Sequence, residues 1–423
     1  MEFWEYLSAP WVIRALIASS LVGLSCGILG AFIVLRRMSM IGDALSHSIL
    51  PGVVFAFLIF GYNAAGFFLG AVIAGVITAV GITWAEDRVK TKGDAAIGIV
   101  FTAMFSIGVI GISWLSKSEG IHLDLKDFLF GNVLGVSNED LWLTSAITVY
   151  VLFMVIVFYR ALFITTFQPQ IAAAMGVSVP FVHYMVMILL SFTVVSALQT
   201  VGVILVVALL ITPASTALLW SDRLPAVLSI SGMLGVISSG LGLWLAILFD
   251  STPGPVMVLV ATFLYLFSAL FAPRKGLVHK YFRKRDLSRR IYKEDIIKYS
   301  FRHADDSPTI QDVASALDLS VAHASRLARF LLRKGVLTQC QPNIKLSQTG
   351  EIMALKLIRA HRLWETYLVN RLGLSPDQIH EEAENYEHFL SDELLDEVEE
   401  LLGSPESDPH GSPIPSKGST EHE

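Results

Sequence analysis

The sequence predicts an all-α polytopic membrane domain of about nine transmembrane helices, N-terminus outside and C-terminus inside. A soluble winged-helix domain and a final helical domain are expected to follow it. Three observations predict this. Apolar runs long enough to cross a bilayer repeat up to Phe271. Basic residues collect on alternate connections. After Arg274 the chain turns polar, with helix caps and turn residues at short intervals.

The 423 residues are 53% hydrophobic and 16% charged, with a mean hydropathy of +0.60. Soluble domains carry about 25% charged residues. A hydrocarbon core about 30 Å thick needs roughly 20 apolar residues per helix. Spans are expected at Trp11–Leu35, Met40–Phe60, Ala64–Trp84, Ala95–Leu115, Leu141–Leu162, Phe181–Leu198, Val203–Trp220, Pro225–Phe249 and Val256–Phe271. The sixth and seventh are separated by a tight turn near Gln199–Gly202. Arg36–Arg37, Arg88–Lys92, Arg160, Arg223 and the cluster Arg274–Lys293 fall on one side if the helices alternate, which makes that side cytoplasmic. Gly23, Gly27 and Gly30 recur at a spacing that permits close helix contact.

The net charge of −6 averages a basic segment after the last span and an acidic stretch near the end. Cys26 and Cys340 fall in different halves, which supports neither a disulfide framework nor a thiolate zinc site. The N-terminus lacks the basic start and cleavage site of a secretory signal, so the first apolar run is expected to be retained. The predicted divisions are a transmembrane domain (1–273), a basic juxtamembrane linker (274–291), a winged helix-turn-helix domain (292–347), a helical domain (348–402) and a disordered tail rich in Pro, Ser and Gly (403–423). The linker's charge favours anionic headgroups. Thr309 and Ser320 are N-cap residues for two short helices, and a hairpin follows, with strands at Val336–Cys340 and Ile344–Leu346 around Pro342–Asn343. Helices are expected at Gln348–Leu372, Ser375–His388 and Asp392–Leu402.

Two residues in the second span stand out. Asp43 and His47 lie four apart and so share a helix face. Counted as helix from Arg37, they sit about 9 Å and 15 Å into the membrane at 1.5 Å per residue. Ionisable groups there are costly and point to function. A carboxylate and an imidazole one turn apart can ligate a first-row metal ion. The bland alternative pairs Asp43 with Arg36 or Arg37 and His47 with a carbonyl. Pro51 and Gly52 suggest a break just beyond the pair.

The stretch Arg36–Gly52, with its Asp43-Ala44-Leu45-Ser46-His47 segment, resembles the permease subunits of ATP-binding-cassette importers for manganese, zinc and iron. So do the Gly-rich first helix, Thr200-Val201-Gly202 and Leu210-Ile211-Thr212-Pro213-Ala214, and the resemblance spans most of residues 5–272. It implies a multi-pass protein of the bacterial inner membrane. Its implied partners are a second permease subunit (a copy or a relative), a cytoplasmic ATPase pair and an extracytoplasmic metal-binding protein. Asp43 and His47 would line the metal route. The segment Phe167–Gly176 would be the coupling helix on the ATPase, with Gln168, Pro169, Gln170, Ala174 and Gly176 in the contact. Family members usually carry acids where Gln168 and Gln170 stand, a departure that alters the electrostatics of docking. The chain lacks a phosphate-cradling Gly-rich Lys motif, so no nucleotide is expected to bind it and ATP hydrolysis falls to a separate subunit.

The soluble half carries a denser donor set. His361 and Glu365 are four apart, Glu384, Glu387 and His388 lie at i, i+3 and i+4, and His380 precedes them by a turn. Nitrogen and oxygen donors without thiolate suit Mn(II), Fe(II) or Zn(II). Surface salt bridges to Arg359 and Arg362 are the alternative. The segments Arg359–Glu365 and His380–His388 resemble the diphtheria-toxin-repressor and manganese-regulator family, and the resemblance covers about Tyr292–Leu402. It implies a metal-sensing and dimerisation domain with His361, Glu384, Glu387 and His388 as ligands, Asp295 as a further one, and His380 with Glu365 at an accessory site. Glu at position 384, where iron-type members have Cys, tilts the domain towards manganese. Lys298 stands where a second acid is usual, against a full two-metal site.

Ser320, His323, Ser325, Arg326 and Arg329 are the candidate DNA contacts of the recognition helix. The leading expectation is metal import throttled by a cytoplasmic sensor. The second is a membrane-tethered or cleavage-released metal-dependent repressor fused to a permease. A third, a secondary transporter, is opposed by the scarcity of intramembrane acids besides Asp43.

Overall fold

The computed structural model describes residues 9–61, 64–119, 133–374, 379, 383–384 and 386–417. They form two compact units, residues 1–280 and 281–423. The boundary lies inside the basic segment expected to be a linker. From Leu277 on, that segment belongs to one continuous helix, Leu277–Arg302.

In the first unit, nine helices among the described residues are long and apolar enough to cross a membrane. In chain order we number α1 Pro10–Leu35, α2 Ile41–Ser48, α3 Leu50–Phe60, α4 Ala64–Asp87, α5 Gly93–Glu119, α6 Asn138–Val157, α7 Tyr159–Phe167, α8 Pro169–Ala174, α9 Val179–Val201, α10 Val203–Trp220, α11 Leu224–Leu248 and α12 Pro253–Phe271. The second span is split into α2 and α3 around Ile49, as Pro51 foretold. The turn between α9 and α10 is a single residue, Gly202, at φ +79°. The fifth span ends earlier than expected, at Val157, and α7 continues separately. The stretch Arg36–Met40 is a turn, so the helical count from Arg37 does not apply, and Asp43 is the third residue of α2.

The first helix is the centre of this unit. Its small residues let backbones touch: a Cβ on Gly23 would lie 2.4 Å from the Gly235 carbonyl oxygen, and one on Gly30 only 1.9 Å from that of Leu210. The Ser231 hydroxyl donates to the Gly27 carbonyl at 2.6 Å, which adds a polar tie across the α1–α11 contact.

The second unit begins with α13, Leu277–Arg302, whose first residues lie in the first unit. Then come α14 Ile310–Ala316, α15 Val321–Arg333, β1 Leu337–Gln339, β2 Lys345–Leu346, α16 Gln348–Leu372 and α17 Asp392–Leu402. Thr309 caps α14 reciprocally with Asp312, and Ser320 caps α15. The strands pair antiparallel as a short wing. Ile296, Ile297, Val313, Leu327 and Leu331 bury one face each of α13, α14 and α15 in a common core.

The helix expected at Ser375–His388 falls mostly outside the described residues; of the described ones, Ile379, Ala383, Glu384 and Tyr386 are helical, and Glu387–Phe389 is a 3₁₀ turn. One expectation needs correction. The tail is not disordered over 403–417. It folds back on α16: Arg359 donates to the Pro415 carbonyl at 3.0 Å, Arg362 to the Pro413 carbonyl, and Ile414 packs against the core cluster of Ala360, Leu363, Leu395 and Val398.

The close approach of α1 and α11 has a measurable consequence. Gly235→Val would drive a side chain into the Gly23 backbone, and overpacking of this kind costs about 1–3 kcal/mol. The melting temperature of the detergent-solubilised chain should fall by several degrees, while Gly98→Ala, which faces open space, should leave it unchanged.

Candidate metal sites

The membrane pair lies on the short helix α2. His47 Nε2 and Asp43 Oδ1 are 3.7 Å apart, too far for a hydrogen bond and close enough to share an ion. The side chains are 22% and 40% exposed, respectively, in the single chain. Phe101 and Phe105 of α5 flank the imidazole, with ring centroids 5.9 Å and 5.6 Å away. Arg36 is not the partner of Asp43: its guanidinium donates to Thr165 at 3.0 Å and Thr166 at 3.2 Å. The Gln168–Gly176 segment forms the short helix α8, bounded by Gln168 and by Gly176 at φ +81°. Phe167, Ile171 and Met175 stand exposed along it at intervals of four.

The soluble unit gathers donors from three distant parts of the chain. Asp295 on α13 and Glu387 and His388 on the 3₁₀ turn bring one ligand atom each to within 4.8 Å of one another. His388 bonds through Nδ1 to Glu294 at 2.7 Å, and its Nε2 lies 3.2 Å from Asp295. Glu387 is fully enclosed. It accepts from Lys298 on both oxygens at 2.7 and 2.6 Å, and its Oε2 lies 2.6 Å from His361 Nδ1. The other nitrogen of His361 lies 3.2 Å from Glu365. A second group joins Glu365 to Asp408 and His410 of the folded tail, again within 4.8 Å.

The expected donors therefore divide. Asp295, Glu387 and His388 meet. His361 sits on the far side of Glu387 and reaches Glu365 instead of joining the same three. Glu384 is 55% exposed and 4.0 Å from Lys298, outside the trio. His380 lies outside the described residues. Arg359 and Arg362 engage Glu399 and Asp408, not the donors on their own helix.

Three participants were missed in the sequence. Glu294 stands beside Asp295, and spacing alone does not separate the two. Asp408 and His410 were hidden in a segment whose composition suggests disorder, though an acid and an imidazole flanking Pro409 were a usable signal. The chemistry of the trio fits one hard divalent ion with oxygen and nitrogen ligands. The Lys298 ammonium already neutralises the opposite side of Glu387, where a second ion would need the same oxygens.

Burial alone would raise the Glu387 carboxyl, but hydrogen bonds from His361 and Lys298 outweigh it and hold it below the usual carboxylate range. Burial would likewise lower His388; bonds to Asp295 and Glu294 win and push it up to about 9.

Nine apolar spans among the described residues, followed in the chain by a unit that gathers nitrogen and oxygen donors, define a multi-pass membrane protein with a separate donor-rich domain. The chain belongs to the ABC 3 transport family, whose model matches residues 8–272. The model of the iron dependent repressor, metal binding and dimerisation domain matches residues 347–416, folded tail included. The chain is 46% identical over 281 residues to the manganese transport system membrane protein MntC of Halalkalibacterium halodurans, which covers 66% of this chain and 94% of that protein. A protein of the same name from Bacillus subtilis (strain 168) is 33% identical over 410 residues, 95% of this chain and 93% of its own length. Among solved structures, PsaBC from Streptococcus pneumoniae in complex with Fab matches with TM-score 0.58 and 38% identity, over 65% of this chain and 96% of that one.

The raised His388 sets a pH dependence in the metal-free protein. An imidazole held above its ordinary value of 6.5 stabilises the fold fully below about 6.5, and this contribution is lost as pH rises through about 9. Thermal melts in chelator should show the soluble unit weakening between those values, and His388→Gln should flatten the profile.

Proposed function

We propose that this chain is the permease subunit of an ATP-driven importer of divalent transition metal, manganese foremost, and that its soluble unit senses cytoplasmic metal and throttles transport. The observation that carries the reading is the pairing of two donor sets in one chain. A carboxylate–imidazole pair lies in a membrane span, and a buried oxygen–nitrogen cluster lies in the soluble unit. The manganese preference is supported by the names of the relatives and by the hard donors of the cluster.

In this reading Asp43 and His47 exchange a dehydrating ion in the pathway, beside a second permease subunit that covers their open side. The exposed residues of α8 dock on a separate ATPase, and an extracytoplasmic binding protein delivers the ion. The chain lies in the inner membrane, N-terminus outside, with the soluble unit cytoplasmic. Metal binding draws the 387–388 turn onto α13, and its preference for that arrangement shifts the conformational equilibrium of the transporter.

Two measurements test this. In proteoliposomes holding the ATPase, Asp43→Asn and His47→Ala should each cut manganese uptake at least tenfold while the melting temperature holds. Glu387→Ala/His388→Ala should leave basal uptake intact and abolish its inhibition by manganese on the cytoplasmic side. Inhibition that survives the double change refutes the sensor. Metal analysis should find two ions in the soluble unit. Glu387→Ala/His388→Ala should remove one, and Asp408→Ala/His410→Ala the other.

A second reading, transcriptional, is favoured by the exposure of Arg326 and Arg329 on α15. Metal-dependent binding of promoter DNA would support it, and its absence at physiological salt would leave transport regulation alone.

A further inference from the structure

Residues Tyr281, Lys284, Arg285, Ser288, Arg289 and Tyr292 recur at three- and four-residue intervals and so occupy one face of α13. Across from this face stand His323 and Arg326, at the start of α15. Together they line a cleft of about 440 Å³. One contact joins its two walls: the rings of Tyr292 and His323 meet edge to face at 6.1 Å. Four cations line the cleft and no acid does. Among the described residues, Lys284, Arg285, Arg289 and Arg326 make no ion pair.

Unpaired guanidinium groups around a cleft of this size suit a phosphate monoanion or diester, which Arg recognises by paired donors. The chain itself says which phosphate. The last span ends at Phe271 and α13 begins at Leu277. A link of this length reaches at most about 20 Å, so the first turn of α13, which leads directly into Tyr281, stays near the headgroups. The approach to it is amphipathic: Leu277, Tyr281 and Phe282 are 60%, 65% and 54% exposed. Aromatic and apolar residues followed by arginines are the composition of a membrane-interface helix.

We propose that this cleft binds the phosphate headgroup of anionic membrane lipids, so that the N-terminal end of the recognition helix serves as a lipid contact. The start of a helix that would read DNA bases shares its basic groove with the juxtamembrane helix. A lipid held there occupies the surface that DNA would need.

The test uses the full chain in nanodiscs of phosphatidylcholine alone or with phosphatidylglycerol, and reads amide hydrogen exchange at 281–292 and 321–329. Each basic side chain at an anionic surface contributes on the order of 1 kcal/mol, so exchange in the anionic discs should slow about tenfold or more. Arg285→Gln/Arg289→Gln/Arg326→Gln should abolish the difference and leave exchange at the buried Ile296–Ile297 core unchanged. High salt should also abolish it. Equal exchange in both discs overturns the proposal. Protection by added duplex DNA without any effect of phosphatidylglycerol also overturns it and assigns the cleft to nucleic acid.

Discussion

Glu387 has no exposed side-chain surface, and a carboxylate so placed is stable only when cations or donors surround it. The soluble unit is built to supply them. Lys298 arrives from α13 and His361 from α16, while His388 follows on the same turn. Three segments separated by tens of residues are tied through one carboxylate. Removing any partner would leave a buried charge uncompensated, which typically costs about 3–5 kcal/mol. The site's position therefore follows from this requirement.

The same constraint acts with the opposite outcome in the membrane unit. Arg36 is satisfied by two threonine hydroxyls of α7 and leaves Asp43 alone. Asp43 and His47 approach each other without bonding and keep open surface. An ionisable pair left this way costs stability, and it persists where an exchangeable partner completes it. The soluble cluster is closed by the Lys298 ammonium, whereas among the described residues no Lys or Arg pairs with Asp43. The two donor sets thus differ in how far the chain itself compensates their charge.

Much of this was legible in the sequence because it rests on local physics. Apolar length sets the spans, Pro51 the broken second span, Gly202 the turn at its positive φ, and Thr309 and Ser320 the two caps. The pairing of donors was less legible. Helical spacing placed Glu384, Glu387 and His388 on one face, but Glu384 stays exposed at the edge, 4.0 Å from Lys298. The role of Lys298 depends on a residue 89 positions away, which no local pattern encodes. The tail's order depends on Arg359 and Arg362 donating to carbonyls of a segment that, by composition, would not fold by itself.

Charge accounting bears on how such a cluster would respond to metal under the proposed sensing role. Without metal, Glu294, Asp295 and Glu387 contribute three negative charges, while Lys298 and protonated His388 contribute two positive ones. A divalent ion that uses the imidazole must displace its proton, because only the neutral ring is a ligand. The exchange of one proton for a divalent ion changes the net charge from −1 to 0, so occupancy leaves the cluster neutral. If Lys298 were an acid instead, the metal-free cluster would carry −3, too repulsive to stay closed and calling for two ions. One lysine thus converts a site that would need two metals to form into one whose donors already stand together, and under the proposed sensing role the response to metal would begin with displacement of the His388 proton.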